Sequence, residues 1–167
     1  MTTALPRPAV QSAHSSARQA NHLDAVALHT LSQQFFPCGA LRERTLGRYS
    51  ADAADFFVAD LPRGALAGCL GLRDYPDEPT GPSGVLYNFC VAPTSQGQGV
   101  GSGLLRAALA HASARSLRAV FTATTGGGAL FLRHGFTPVD PGLAPRAWVG
   151  ALDPRRGSTV LARILST

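Results

Sequence analysis

Apolar residues follow two different spacings along this chain, and the spacing changes from one segment to the next. Along residues 84–92, "GVLYNFCVA", apolar side chains alternate as they do in a strand. One face of that strand is expected to carry Val85, Tyr87, Phe89 and Val91. Residues 104–117 place apolar side chains at helical spacing instead, namely Leu104, Leu105, Ala108, Leu109, Ala112 and Leu117. The two patterns predict a strand followed by an amphipathic helix that packs on a sheet.

The same reasoning predicts the other elements and, from them, the fold class. We expect a helix from Asp24 to about Phe36, a shorter helix within 41–53, a hairpin over 55–75, a strand over 118–124, a short helix within 128–135, a short strand within 135–140 and a last strand within 158–165. The fold class is therefore α/β, with a mixed, mostly antiparallel sheet that contains one parallel pair. Residues 1–14 are rich in Ser, Ala and Pro and predict a flexible tail, and residues 15–167 predict one domain.

Composition limits the location and the metal chemistry. No apolar run approaches the length of a membrane span, and the first residues lack the apolar core of a secretory signal, so we expect a cytoplasmic protein that does not bind a membrane. Cys38, Cys69 and Cys90 lack metal-ligand spacing and argue against a metal site. Cys69 and Cys90 fall in strand-like runs and are expected to be small buried residues.

The charge narrows the choice of partner. The net charge is +5, and every basic residue except histidine is arginine, since the chain has no lysine. A phosphate-binding lysine of the Walker type and a Schiff-base lysine are therefore excluded. The arginines are scattered and aromatic residues make up 7%, which argues against nucleic acid and favours an anionic small molecule.

A glycine-rich turn lies between the predicted strand and the amphipathic helix. Residues 96–103 read "QGQGVGSG". Uncovered N–H groups and the helix dipole make such a turn an anion site, and glycines let the ligand approach the backbone. The Walker loop needs a lysine that is absent. The dinucleotide fingerprint GxGxxG, counted from Gly97, needs a third glycine where Ser102 stands.

Gln96, Gly99 and Gly101 fit the Q/R-x-x-G-x-G/A turn, and with this turn the chain resembles the GNAT family of N-acetyltransferases. The resemblance implies the GNAT fold, with a splayed parallel strand pair and flanking helices, and acetyl-CoA as the acetyl donor without a metal. The residues that it implies for binding the cofactor are Val91, Gln96, Gly97, Gln98, Gly99, Val100, Gly101 and Ser102.

Four further segments resemble the acetyltransferase domain of N-acetylglutamate synthases. They are "RQANHLDAVALHTL", "GALRERT", "FTATTGGGALFLRHGFTPV" and "DPRRGSTVL", in the order found in that family. The resemblance implies a short, kinase-free enzyme of arginine biosynthesis that acetylates the α-amine of glutamate. It assigns Arg44, Arg156 and Ser158 to the acceptor, and arginine binds carboxylates well because its guanidinium is planar and always charged. The oligomeric state stays open, a homodimer included.

The catalytic groups depart from the usual pattern. Many relatives carry a glutamate in the fourth strand as the base, and the aligned residue here is Val85. Phe131 stands where many GNAT enzymes have a tyrosine that acts as the general acid, although N-acetylglutamate synthases likewise tend to have phenylalanine there. The resemblance assigns help with proton transfer to Thr124. We further expect the Val91 N–H to bind the thioester carbonyl, the Cys90 carbonyl to orient the amine, and Asn88 to position a water from the open face of the strand.

His134 precedes the glycine that ends the short predicted helix. It is a second candidate for proton transfer, although a C-terminal cap is the more common role for a histidine at this position.

Two alternatives stay open. One is a GNAT enzyme with another amine acceptor, such as a specialised metabolite or an antibiotic. The other is a weakly catalytic acetyl-CoA-binding regulatory module, which the missing glutamate at Val85 suggests.

Overall fold

A computed structural model describes residues 16–126 and 128–166, which form one seven-stranded sheet with helices on both faces. The predicted tail at 1–14 lies outside the described residues. The strands are β1 (Arg18–Gln19), β2 (Phe56–Asp60), β3 (Leu66–Tyr75), β4 (Ser83–Val91), β5 (Ala119–Thr124), β6 (Thr137–Pro138) and β7 (Thr159–Ile164). Their order in the sheet is β1-β2-β3-β4-β5-β7-β6, and only β4 and β5 run parallel. The predicted fold class is confirmed.

The helices divide between the two faces of the sheet. They are α1 (Ala25–Gln33), α2 (Leu46–Asp52), α3 (Val100–Ala114), α4 (Ala129–Arg133) and α5 (Arg146–Gly150). The predicted stripe of α3 and the following turn is buried against the sheet, from Leu104 to Leu117. Helices α1 and α2 pack on the opposite face, where Leu28 and Tyr49 join Cys69 and Cys90 in a second cluster. Both of these cysteines are buried, as predicted.

The parallel pair separates soon after it begins, and this separation creates the site. β4 and β5 pair at three positions only, from Ser83 opposite Ala119 to Val85 opposite Phe121. β4 then continues to Val91 beside β3, while β5 continues to Thr124 beside β7. The remaining length of the two strands borders an open gap, which agrees with the splayed strand pair expected from the resemblance to the GNAT family.

A β-bulge at Asn88 corrects the predicted alternation of β4. The register moves from Cys69 opposite Cys90 to Gly71 opposite Tyr87, so β4 carries one extra residue there. Asn88 has a positive φ of 50°, a conformation that asparagine tolerates better than most residues. Phe89 and Val91 therefore pack towards α3, whereas Tyr87 faces α1 and α2. Simple alternation had placed Tyr87, Phe89 and Val91 on the same face.

The helix boundaries also differ from the predictions. α1 ends at Gln33 instead of about Phe36, and α2 begins after Thr45, whose hydroxyl accepts the Arg48 N–H. α5 was not predicted at all. No helix among the described residues is long and apolar enough to cross a membrane.

Candidate active site

A cleft of about 500 Å³ lies at the gap between β4 and β5. Four arginines line it, Arg42, Arg44, Arg73 and Arg156. Apolar and aromatic side chains form much of the remaining wall, among them Leu41, Tyr75, Trp148 and Leu152. The cleft therefore combines cationic groups, which suit an acidic ligand, with surfaces that suit an apolar one.

The glycine turn stands at one end of this gap, where β4 leads through a short 3-10 turn into α3. Gly97 and Gly99 have φ values of 76° and 83°, which favour glycine, and a Cβ built on either would meet nothing within 4 Å. The Gly103 N–H donates to the Gly99 carbonyl at 3.0 Å, so the three preceding N–H groups of α3 have no carbonyl of the helix to bond. An open approach and uncovered N–H groups fit the diphosphate of CoA.

The end of β4 places the Val91 peptide groups at the gap. The Ala92 N–H donates to the Ala67 carbonyl at 2.7 Å, and hydrogen-bonded pairs alternate along antiparallel strands. Val91 therefore directs its N–H and carbonyl away from β3, and its carbonyl accepts the Gln96 side-chain amide at 3.2 Å. The same alternation directs the Cys90 carbonyl towards its partner Cys69 on β3. The ladder thus argues against the predicted role of the Cys90 carbonyl in orienting the amine.

Arg44 lies in the cleft wall without an acidic partner among the described residues. Its guanidinium carbon stands 4.9 Å from the centre of the Tyr87 ring, and its buried Nε has no hydrogen-bond partner there. Arg73 stands 4.6 Å from the same ring and is paired to Asp52 at 3.0 Å and to Asp55 at 3.5 Å. Arg44 is therefore the cation that a bound carboxylate can satisfy with least competition.

Tyr87 holds these two arginines in place. Its hydroxyl donates to Asp55 at 2.8 Å and accepts from Arg73 at 3.2 Å. Burial, followed by the negative charge of Asp55, raises the pKa of the Tyr87 hydroxyl, which therefore stays protonated at neutral pH.

Arg156 enters the cleft from the turn that precedes β7. Its guanidinium donates to the carbonyl oxygens of Gly39 and Ala40, and Ser158 lines the cleft close by in sequence. Arg42 reaches the Ala151 carbonyl at 2.7 Å. The segment around "GALRERT" is thus tied to the segment around "DPRRGSTVL", and the structure brings Arg44, Arg156 and Ser158 to one cleft.

The predicted proton-handling side chains have other partners in this structure. The Asn88 side chain is buried, not on an open face; it accepts from the Tyr49 hydroxyl at 2.9 Å and donates to Ser32 at 3.0 Å. The Thr124 hydroxyl donates to the Gly126 carbonyl at 3.1 Å and accepts the Gly126 N–H at 3.2 Å. Thr124 lines the cleft, but its hydroxyl holds a turn. Both catalytic roles remain predictions.

His134 ends α4 at the predicted C-cap position, and its side chain also contacts a neighbouring helix. Its Nε2 lies 3.2 Å from the Ser102 Oγ, in the first turn of α3. The Arg163 guanidinium donates to the His134 carbonyl at 2.9 Å. α4 is thereby connected to the glycine turn.

Arg42 and Arg73 are the two cleft arginines that the sequence did not point to as site residues. Arg73 lies directly opposite Val85 in the β3–β4 register, a neighbour relation that could be predicted only by pairing the second strand of the predicted hairpin with the strand that follows it. Among the described residues, no group of three or more His, Cys, Asp or Glu side chains converges to hold a metal ion.

Comparison with known proteins assigns this arrangement to a family. The sequence model of the acetyltransferase (GNAT) family matches residues 23–136. An amino-acid acetyltransferase of Ralstonia nicotianae is 39% identical over 95 residues, which are 57% of this chain and 20% of that protein. The match therefore spans about a fifth of the length of this curated relative.

Two solved structures share the fold. N-acetylglutamate synthase of Neisseria gonorrhoeae, complexed with coenzyme A and N-acetyl-glutamate, matches with a TM-score of 0.80 at 24% identity over 94% of this chain and 36% of that one. Rv2747 of Mycobacterium tuberculosis, in complex with CoA and a second ligand, matches with a TM-score of 0.75 at 22% identity over 91% of this chain and 100% of that one.

Proposed function

The chain belongs to the acetyltransferase (GNAT) family, and on this basis we propose that it transfers acetyl from acetyl-CoA to the α-amine of a small acidic amino acid, with L-glutamate as the leading candidate. A place in arginine biosynthesis and a cytoplasmic location belong to the same proposal. The amino-acid acetyltransferase of Ralstonia nicotianae and the Neisseria enzyme support this choice of acceptor over other amines.

The observation that carries the proposal is the unbalanced positive charge of the cleft. Four arginines line it against one carboxylate, that of Asp153, and Arg44 and Arg156 are not ion-paired to a carboxylate among the described residues. A buried guanidinium nitrogen without a partner is costly, and a ligand carboxylate would satisfy it with a charge-assisted hydrogen bond. A dicarboxylic amino acid brings two such groups.

The backbone supplies the electrostatic part of the reaction. Acetyl-CoA provides a thioester, whose carbonyl oxygen becomes negative as the amine attacks. The Val91 N–H points into the gap and can donate to that oxygen, while the uncovered N–H groups of α3 hold the diphosphate. The glycine turn and the end of β4 thus orient the thioester relative to the acceptor.

The acceptor's proton leaves without a carboxylate at position 85. Val85 is buried and apolar, so a water takes the proton in this proposal. The α-amine of a free amino acid is mostly protonated at neutral pH, and the neutral fraction that can attack the thioester rises with pH. General-base help contributes about 10²–10⁴ in rate, so we expect a slow enzyme whose rate rises with pH.

A second acceptor class is favoured by the other wall of the cleft. Tyr75 and Trp148 offer aromatic surface that a glutamate side chain does not use fully. An amine that carries both a carboxylate and an apolar group would contact both walls.

A thiol-release assay with acetyl-CoA and the common amino acids tests the proposal. We expect turnover with glutamate above that with glutamine and with neutral amino acids. Turnover only with amines that lack a carboxylate would contradict the acidic acceptor. Tight CoA binding with no thiol release from any amine would favour the regulatory module.

A further inference from the structure

The imidazole of His134 faces the glycine turn from a neighbouring helix, and none of the steps above uses it. His134 Nε2 contacts the Ser102 Oγ at 3.2 Å, and Ser102 is the third residue of α3. The Ser102 N–H is one of the uncovered N–H groups of this helix. His134 therefore lies one side chain away from the place where a phosphate of CoA would bind.

Every charged group that shifts the His134 pKa is cationic. They come from three packed elements: Arg106 on α3, Arg133 on α4 and Arg163 on β7. Partial burial, followed by the charges of these arginines, lowers the pKa of His134 below its ordinary value. In the free protein the imidazole is therefore neutral at pH 7.

A bound phosphate reverses this balance. An anion near a histidine favours the charged imidazolium, and a cluster of cations around it loses part of its repulsion when an anion arrives. The neutral and charged forms of the ring also bond differently to Ser102, because the imidazolium donates from both nitrogens.

We propose that His134 takes up a proton when CoA binds, so that Ser102 and a protonated His134 together form part of the phosphate site. This inference rests on the proposed use of CoA and adds a residue and a pH dependence to it. Its consequence is that CoA binds more tightly as the pH falls through the range in which His134 titrates.

Calorimetry in buffers of different ionisation enthalpy measures the protons taken up on binding. At pH 6.5 we expect the wild-type chain to take up roughly half a proton more than His134→Gln, which keeps an amide donor near Ser102 but does not titrate. Between pH 8 and pH 6 the affinity of the wild-type chain for CoA should rise about fivefold more than that of the variant, since one unit of pKa change corresponds to tenfold.

Two controls isolate the histidine and the phosphate. His111 lies in the last turn of α3, at the opposite end of that helix from Ser102, and its ring centre stands 5.4 Å from the centre of the Phe57 ring. His111→Gln should therefore keep the wild-type proton uptake. The 3′-phosphate of CoA itself titrates near pH 6, whereas the diphosphate does not. If the wild-type chain still takes up more protons than His134→Gln when 3′-dephospho-CoA binds, the diphosphate causes the effect. If this excess disappears, the 3′-phosphate causes it.

Equal proton uptake by the wild-type chain and by His134→Gln would overturn the inference while leaving CoA binding intact. Absence of CoA binding by the wild-type chain would overturn the proposed function as well. If the variant does not fold, NMR of the imidazole in the wild-type chain decides, because the His134 pKa should rise on adding CoA, and an unchanged pKa refutes the inference.

Discussion

Arginines at the outer edge of the sheet and arginines in the cleft differ in where their negative partners come from. At the edge, Arg18 bonds to Asp24 at 2.8 Å and to Asp60 at 2.7 Å, so the chain itself provides two carboxylates. In the cleft, Arg44 stacks on an aromatic ring and Arg156 bonds to backbone carbonyls. The first arrangement is complete without a ligand, and the second is not.

The difference separates arginines that stabilise the fold from arginines that are available to bind. Hydrogen bonds to Asp60 and then to Asp24 raise the pKa of Arg18, as expected of a cation that is fully paired. The carboxylates of the chain neutralise only part of the positive charge in the cleft; the remaining charge is costly to maintain in a concave site, and a negative ligand offsets that cost. Changing one arginine of each kind should therefore affect different measurements.

The largest effect is expected from Arg156→Ala. It should raise the Michaelis constant for the acidic acceptor about 30-fold, because hydrogen bonds to charged groups contribute roughly 2 kcal/mol, and leave that for acetyl-CoA nearly unchanged. Steady-state kinetics with each substrate varied in turn measures both constants.

Arg155 provides the matched control for this variant. It is adjacent in sequence, its side chain is 90% exposed, and Asp153 already pairs with it at 3.2 Å. Arg155→Ala should leave both constants close to those of the wild-type enzyme. Equal losses for acceptor and acetyl-CoA in Arg156→Ala would mean that Arg156 does not bind the acceptor's carboxylate.

A smaller effect is expected when a carboxylate is added to the cleft by Val85→Glu. Arg73 lies directly opposite position 85, so it should keep the new carboxylate ionised and able to accept a proton at neutral pH. We expect kcat at pH 7 to rise about tenfold, below the full range for a base because the site is apolar and buried.

Val85→Gln separates the base from the change in shape. The glutamine side chain has nearly the same size as glutamate but does not accept the proton. The kcat of this variant should therefore not exceed that of the wild-type enzyme. Adding Arg73→Gln to Val85→Glu should remove much of the gain at pH 7, since burial would then raise the pKa of the glutamate. A kcat that Val85→Glu leaves unchanged would show that the proton leaves by another route.

The spacing of apolar residues predicted most of the helices and strands. The features that it did not predict include the bulge in β4, which depends on pairing with a strand elsewhere in the chain. The stripe from Leu104 to Ala112 specifies α3 because its residues repeat a helical spacing. The bulge at Asn88 depends on one extra residue opposite β3, which no periodicity within β4 reveals. α5 has only five residues, too few to establish a helical repeat.

The candidate site was reached from the sequence in two ways. Motif spacing pointed to the glycine turn, and the resemblance to N-acetylglutamate synthases pointed to Arg44, Arg156 and Ser158, whose roles stay predictions. Arg73 depends on the register of the hairpin with β4, and the contact of His134 with Ser102 depends on how α4 packs beside α3. Arg73 and Val85 are 12 positions apart in sequence, and Ser102 and His134 are 32 positions apart, so both contacts depend on the tertiary fold.

The smallest effect is expected at the edge of the sheet, from Arg18→Ala. It should lower the free energy of unfolding by about 1 kcal/mol at pH 7, since the Arg18 side chain is 40% exposed and its pairs are screened by solvent. The Michaelis constant for the acceptor should stay unchanged, in contrast to Arg156→Ala. Denaturant unfolding and steady-state kinetics measure the two quantities.

The pH dependence of that loss identifies its cause. The hydrogen bond from Arg18 lowers the pKa of Asp24, so this pair stabilises the fold above the ordinary aspartate pKa of about 3.9, and the stabilisation is lost as the pH falls through the lowered value. The difference between the wild-type chain and Arg18→Ala should therefore be constant from pH 7 to about pH 5 and shrink below pH 4. A difference at pH 3 as large as that at pH 7 would mean that Arg18 stabilises the edge through packing of its alkyl chain instead of through its charge.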